Sequence, residues 1–488
     1  MSVIGIRGGT VLTIDAERRV IAAGGVLIED DCIAWVGPAH EMPLPAGADV
    51  IEAHGAVVMP GLVNAHTHVA QTLLRGGVSH SRTLYDWLLN VVCPGLAAYS
   101  LDDHQSAIRL YAAEALRSGI TTIVTNEEPS YQDSERATRA ALEAFAKTGL
   151  RVIYARMFRD QLGGGAATLF HEERSKAPHL ADAPTTVPLD RTLNELERLA
   201  RTYRQAAGGR LAVWPSPATT AATSAEALRR TARLAQDLGS RWTLHLAETT
   251  LERQIRPISP VRYLQGLGLL DARLLAAHCV DIDDDDIALL ARHDVRVVTL
   301  PVSNCYLGSG IAPVPRLKAA GVTVAIGTDD ANCNDGVNLF RDLRFLALLH
   351  RGVTRDPTVI PPGMALEMAT IDGARALGLD DRIGSLEVGK RADIIVCRLD
   401  RPQTTPVHDP VATLLFQAYG TEVDTVLVDG RVLLRDGRLC HADEADLCRD
   451  AQDRSVAILE RAGLRCPRPW PDPAERAVAP GSPWTSRG

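Results

Sequence analysis

Between residues 57 and 327 the chain alternates short apolar runs with longer amphipathic stretches. The runs are Val57–Val63, Thr121–Thr125, Arg151–Met157, Leu211–Pro215, Trp242–Leu246, Leu274–His278, Val295–Leu300 and Val322–Gly327. Segments of helical periodicity such as Leu101–Ser118 and Ser224–Leu238 separate them. Continuous apolar runs alternating with helices predict parallel strands buried on both faces. Eight such units over about 270 residues fit an α/β fold of the (β/α)8 TIM-barrel type, with any chemistry at the C-terminal ends of the strands.

The two ends of the chain read differently. V-I-G-I-R-G-G-T-V-L-T-I and G-V-L-I-E-D-D-C-I-A-W-V-G near the start have apolar alternation broken by Gly and Asp-Asp, and R-A-D-I-I-V-C-R-L and T-V-L-V-D-G-R-V-L-L-R-D-G repeat that texture late. Such runs predict short strands joined by tight turns. The expected organisation is therefore one small flanking β-sandwich built from residues 1–56 and 381–465, the latter with a C-terminal helix. Residues 57–380 form the barrel and 466–488 an irregular, Pro-rich tail.

Composition narrows the classes. Hydrophobic residues make up 46% of the 488 and charged residues 23%, as in an ordinary soluble protein. A net charge of -8 without a concentrated basic patch argues against nucleic acid as a partner. The nine cysteines are scattered with no C-x-x-C pair, which favours reduced thiols over a disulfide framework. No run approaches the roughly 18 apolar residues needed to span a bilayer, so no membrane partner is expected and a cytoplasmic location is.

Polar clusters fall at the ends of four of the expected strands. The first run ends in His66-x-His68, whose side chains, two apart, share a face of a strand. T-L-H-L-A-E supplies His245 and Glu248, A-A-H-C supplies His278, and I-G-T-D-D-A-N-C-N supplies Asp329 and Asp330. A lone strand-end histidine is commonly structural, and a lone aspartate before a helix is commonly a cap. Four such coincidences at one end of one barrel point to a metal site instead. Three imidazoles and a carboxylate, His66, His68, His245 and Asp329, suit a divalent ion such as Zn2+ or Fe2+ with a position left for water. Asp329 is also suited to take that water's proton, Glu248 to move protons to a substrate, and His278 to orient the water.

P-G-L-V-N-A-H-T-H, H-L-A-E, A-H-C, the run Pro301–Pro313, G-T-D-D and the closing I-G-S-L-E-V-G-K-R-A-D-I-I-V together resemble the amidohydrolase superfamily over roughly residues 1–465. Dinuclear members carry a bridging lysine at the end of the fourth strand. Here that strand ends W-P-S-P-A-T-T without one, so the resemblance implies a mononuclear aminohydrolase holding one ion. H-T-H-V-A-Q-T-L-L-R-G-G, L-Y-D-W-L, L-R-V-I-Y-A-R-M-F and F-Q-A-Y-G-T-E-V-D-T-V-L further resemble the s-triazine hydrolases, melamine deaminase and atrazine chlorohydrolase. The dechlorinating type has Asn and Ser where this chain has Asp330 and Cys333, and Leu84 and Thr219 also side with the deaminase type.

Leaving-group chemistry agrees with that resemblance. Chloride departs as a stable anion, whereas an amine must be protonated first, and a carboxyl at Asp330 with a thiol at Cys333 can supply or relay that proton. A small heteroaromatic substrate is expected, held by Gln71, Leu84 and Trp87, with Tyr85 in the same segment, and by Thr219 and Asn304. A homo-oligomer is also expected. Deamination of an s-triazine, purine or pyrimidine is the leading activity. Hydrolytic dechlorination or N-dealkylamination of s-triazines, and a scaffold without catalysis, are the alternatives.

Overall fold

The structure is a computed structural model that describes residues 2–78, 80–128, 134–160 and 188–466. The tail expected to be irregular from Pro467 onward lies outside these residues. Eighteen strands occur in the described residues: β1 (Val3–Leu12), β2 (Val20–Glu29), β3 (Cys32–Pro38), β4 (Asp49–Glu52), β5 (Ala56–Pro60), β6 (Leu62–His68), β7 (Ile120–Glu127), β8 (Arg151–Phe158), β9 (Leu211–Pro217), β10 (Trp242–Leu246), β11 (Leu274–His278), β12 (Arg296–Thr299), β13 (Val324–Ile326), β14 (Asp329–Asp330), β15 (Ile394–Arg398), β16 (Val423–Val428), β17 (Arg431–Arg435) and β18 (Arg438–Leu439).

Strands β6 to β9 pair in parallel, as do β10 to β13. Two seams join the groups into one barrel. A parallel bridge Thr219↔His245 links the end of β9 to β10, and His245 N donates to Ala218 O at 3.1 Å. On the other side the eighth strand pairs twice, first as β13 with β12, then as β14 with β6 through Asp329↔Thr67 and Asp330↔His68. Val63, Ala65, Val124, Ile153, Ala155, Leu275, Ala277, Val298 and Ala325 fill the interior. A larger cluster lies between the strands and the outer helices. The helices begin and end on recognisable signals. Ser224 caps Ala225–Leu238 by accepting from Ala227 N, and Gly239 closes it at φ 64°.

The expected strand Val57–Val63 is in fact two strands. Val57–Pro60 belong to β5, which pairs with β1 and β15 in the flanking sheet, and the barrel begins only at Leu62. Gly61 makes the change of layer, and a Cβ there would collide with the side chain of Thr121. The His-x-His pair therefore lies within the last turn of pairing of β6. The seventh and eighth runs are also shorter than expected, and β7 runs two residues past Thr125 to take in Asn126 and Glu127.

Strands from both chain ends interleave in a single nine-stranded sheet, ordered β18-β17-β16-β15-β5-β1-β2-β3 with β4 beside β1. The sheet curls back on itself to make the sandwich. Ile33 N donates to Lys390 O at 2.8 Å and Ala392 N to Asp31 O at 2.9 Å, closing β3 toward β15 over Ile6, Ile28, Ile33, Val58, Ile394 and Leu427. A last helix, Glu444–Ala462, returns to the barrel, where Arg454 and Arg461 both pair with Asp103 and Ser455 Oγ donates to Leu73 O. Among the described residues no helix is long and apolar enough to cross a membrane.

Candidate active site

The C-terminal ends of β6, β10, β11 and the β13–β14 strand converge on one buried cluster. His66 and His68 project together from β6, each with Nε2 3.6 Å from Asp329 Oδ1. His245 Nε2 lies 3.3 Å from His68 Nε2. His245 Nδ1 donates to Ala218 O at 2.8 Å, so its Nε2 carries a lone pair rather than a proton. Burial, reinforced by neighbouring imidazoles, pushes the pKa of His68 down to about 3 and that of His245 well below its ordinary value. Burial lowers His66 as well. Three neutral imidazoles thus crowd their nitrogens around a carboxylate.

Burial alone would raise Asp329, but the adjacent His66 Nε2 and the charge of His278 hold it well below the usual carboxylate range. Its Oδ2 accepts from Ser303 Oγ at 2.6 Å. Two ligands ~2.0–2.1 Å from a tetrahedral or trigonal ion stand ~3.3–3.6 Å apart, so the observed spacings fit a single divalent cation. His66 Nε2, buried with no hydrogen-bond partner among the described residues, points into the same space.

Glu248 and His278 face each other beside this cluster, with His278 Nε2 3.7 Å from Glu248 Oε2. His278 Nδ1 donates to Asn304 Oδ1 at 2.9 Å. Burial opposes charge on His278, yet Glu248, Asp329 and the Asn304 hydrogen bond keep its pKa above the ordinary histidine value. Burial pushes Glu248 up to about 7 against the pull of His278, which suits a group that exchanges protons near neutrality. Strand ends hold these residues in an unusual backbone form. Ala247, His278, Cys279 and Asp329 all have φ between 50° and 74°, a left-handed conformation costing non-glycine residues about 1–3 kcal/mol each.

Asp330 and Cys333 lie on the far side of Asp329. Burial, with the like charge of Asp329 next, raises Asp330 well above the carboxylate range, and burial likewise raises the Cys333 thiol. Asp330 Oδ1 has no hydrogen-bond partner among the described residues. Cys333 Sγ lies 3.1 Å from Ser303 Oγ and 3.9 Å from Asp330 Oδ2, which ties the pair to Asp329 through Ser303.

The expected substrate residues separate into two groups. Gln71, on the short helical segment Val69–Leu74, is buried with Oε1 unpartnered among the described residues. Leu84 and Trp87 pack in one apolar cluster with Cys333, placing them beside the site. Tyr85 lies near Glu248 and Glu252. Thr219 and Asn304 are instead committed within the protein. Thr219 Oγ1 accepts from Ala221 N and Ala222 N, and Asn304 spends its oxygen on His278, leaving only its unpartnered Nδ2 for a ligand.

Sequence reasoning missed the residues that orient the others. Asn126 lies 2.9 Å from His66 Nδ1, Ser303 holds Asp329, and Glu252 Oε1 accepts from Glu248 N at 2.8 Å. Glu127 accepts from Val69 N at 2.7 Å, anchoring the segment that follows the histidines. Of these, Ser303 lay inside a quoted motif and Glu252 sits one helical turn beyond Glu248. Asn126 and Glu127 had no local signal.

The pattern of the amidohydrolase family matches residues 57–433. The chain belongs to that family. This amidohydrolase is 40% identical over 479 residues to an S-triazine hydrolase of Gordonia rubripertincta, covering 96% of the chain and 99% of the relative. It is 37% identical over 442 residues to a 5-methylthioadenosine/S-adenosylhomocysteine deaminase of Desulforudis audaxviator, covering 90% and 95% respectively. A solved adenosine deaminase from Xanthomonas campestris with bound zinc superposes with a TM-score of 0.83 at 29% identity, covering 94% of this chain and 98% of that one. The amidohydrolase is accordingly a hydrolase, with the barrel and flanking sheet of its relatives.

Proposed function

We propose that this amidohydrolase is an aminohydrolase with one divalent ion, Zn2+ or Fe2+, that replaces an exocyclic amino group of a nitrogen heteroaromatic ring by a hydroxyl and releases ammonia. His66, His68, His245 and Asp329 would hold the ion, which when bound lowers the pKa of water toward ~7. Glu248 is placed to carry a proton to a ring nitrogen. His278, kept charged by Glu248 and Asp329, is placed to orient water and to stabilise developing negative charge.

The observation that carries deamination is Asp330. Its buried carboxyl is pushed well above the usual carboxylate range by burial and the like charge of Asp329, has an oxygen free of partners among the described residues, and adjoins Asp329. An amine leaves readily only when protonated, and this group can supply that proton. Substrates of the s-triazine and purine classes fit the reading, since the relatives' names include a triazine hydrolase and a deaminase acting on adenosine derivatives, and an amino-pyrimidine would undergo the same chemistry. Dechlorination or N-dealkylamination of s-triazines is the second reading, favoured by the likeness to the S-triazine hydrolase.

The test is ammonia release from melamine, ammeline, guanine, 8-oxoguanine, cytosine and 5'-methylthioadenosine, run beside chloride release from a chloro-triazine. Ammonia from at least one ring with weaker chloride release is expected. Chloride release without ammonia from any ring would overturn the reading in favour of the second.

A further inference from the structure

A helical run from Leu84 to Ala97 carries Leu84, Tyr85 and Trp87, the residues expected against the substrate ring. Its middle turn, Leu88–Val92, is π-helical, an uncommon form found mostly as a single turn within a longer helix. Isolated helices shorter than ~12–15 residues are marginal in water, so the order of this run comes from what it packs on.

The chain leaves the barrel for the run at Leu73 and returns from it at Ala98, and one element holds both points. Ser455 Oγ of the last helix, Glu444–Ala462, donates to Leu73 O at 2.7 Å. Further along that helix Arg461 Nε donates to Ala98 O at 3.0 Å and Arg461 Nη2 to Asp103 Oδ2 at 2.7 Å. Arg454 Nη1 donates to the other oxygen of Asp103 at 3.0 Å. The buried Asp103 also accepts from Ser100 N and Ser100 Oγ at 2.8 Å each, which fixes the turn just after Ala98.

Apolar contacts follow the same line. Ala451 and Ile458 pack with Leu73 and Leu74, and Leu459 and Leu464 pack against the cluster of Trp87 and Cys333. The start of the last helix is tied elsewhere, by Arg117 Nη1 donating to Glu444 Oε1 at 2.8 Å. The helix supplies none of the site residues described above and meets the site through the Leu84–Ala97 run.

We infer that the last helix is a clamp across the base of the substrate-covering run, with Ser455 and Arg461 as positioning residues that set substrate affinity without entering the chemistry. The inference rests on the reading that Leu84, Tyr85 and Trp87 face the substrate. Misplacing a wall that holds substrate and transition state alike raises KM and spares kcat.

The experiment compares the parent with Ser455→Ala, Arg461→Met, the two combined, and Arg117→Met, all full-length and loaded with zinc. Hydrogen–deuterium exchange by mass spectrometry reads residues 84–97. Ammonia release gives kcat and KM for whichever ring of the panel above the parent turns over fastest. A hydrogen bond to a charged group contributes a factor of roughly 10–100 to a local equilibrium. The combined variant should therefore exchange about tenfold or more faster over 84–97, with β7 and β10 unchanged. Its KM should rise about threefold or more, with kcat within about twofold and zinc content like the parent's. Arg117→Met should match the parent throughout.

Parent-like exchange over 84–97 in the combined variant overturns the inference. Faster exchange with KM unchanged overturns it too, as does an equal effect in Arg117→Met. Lost zinc also overturns it, since the helix would then serve the histidine strand. If the parent turns over no ring of the panel, the functional reading falls and the clamp is judged on exchange alone. If the combined variant fails to fold, the two single variants decide by the same comparison with Arg117→Met.

Discussion

Exchanging Asp330 for Asn and Cys333 for Ser together should turn the enzyme away from amine departure without disturbing its frame. The backbone of Asp330 pairs with His68 whatever its side chain is, and Asn has nearly the same shape as a protonated Asp. Because Asp330 Oδ1 has no partner among the described residues, the exchange breaks no hydrogen bond at that atom, and an unpaired amide hydrogen costs about 1–3 kcal/mol. Serine at 333 keeps a hydroxyl near Ser303 Oγ, where the thiol now lies at 3.1 Å. The chemical effect is far larger. A positioned acid contributes roughly 10²–10⁴ in rate, or ~2.7–5.4 kcal/mol of barrier. Deamination of an amino-triazine should therefore fall by about that factor, while chloride release from the matched chloro-triazine holds or rises. The assay compares kcat/KM for the two leaving groups in parent and double variant, since lost affinity alone would lower both equally. A ratio unchanged within about threefold, in a variant that melts and binds metal like the parent, would refute a role for this pair in leaving-group choice.

Glu248→Gln should keep its metal and lose about 10²–10⁴ in kcat, measured by ammonia release beside metal analysis; a metal-free or unfolded variant would make Glu248 structural. Burial raises Glu252 from 4.5 to about 7, so the stability it contributes is complete below about pH 4.5 and lost as pH rises through about 7. Glu252→Gln should accordingly lose less stability than the parent between about pH 5 and about pH 8 in denaturant unfolding, and an unchanged difference would contradict the assignment. A Cβ at Gly327 would lie 2.6 Å from His66 O and 2.9 Å from His66 N, both main chain, so Gly327→Ala should cost about 1–3 kcal/mol in thermal unfolding and lower metal occupancy by shifting β6.

The parts of the fold legible in the sequence were those with a period or a rare residue type. A barrel strand such as β11 is buried on both faces and so reads as an apolar run up to its closing histidine. The boundary at Gly61 was invisible for the same reason, because β5 and β6 are both fully buried and join into one run. The polar end of β7 resembled a loop, since Asn126 and Glu127 find their partners on β6 and on the segment after it. His66, His68, His245, His278 and Asp329 stood out because imidazoles and carboxylates seldom close apolar strands. Asn126 and Ser303 are common polar types, and only contacts from other strands give them a task. Asn304 was marked by its motif, and only the tertiary contact shows how it divides: its oxygen accepts from His278 Nδ1, while its Nδ2 has no hydrogen-bond partner among the described residues.

The seam that closes the barrel has a bearing on how such an enzyme changes its chemistry over time. It is stitched by two backbone pairs, Asp329↔Thr67 and Asp330↔His68, with Thr67 Oγ1 donating to Asp329 O and Thr328 N to Asn64 Oδ1. Every one of those stitches uses main chain at positions 328–330. The side chain of Asp330 contributes nothing to the stitching, so residue 330 is a mounting point whose fitting can be swapped while the frame stays bolted. New leaving groups could be explored there by single substitutions with little loss of fold, whereas changes at Asn64, Thr67 or Thr328 would loosen the joint on which the histidines are aligned.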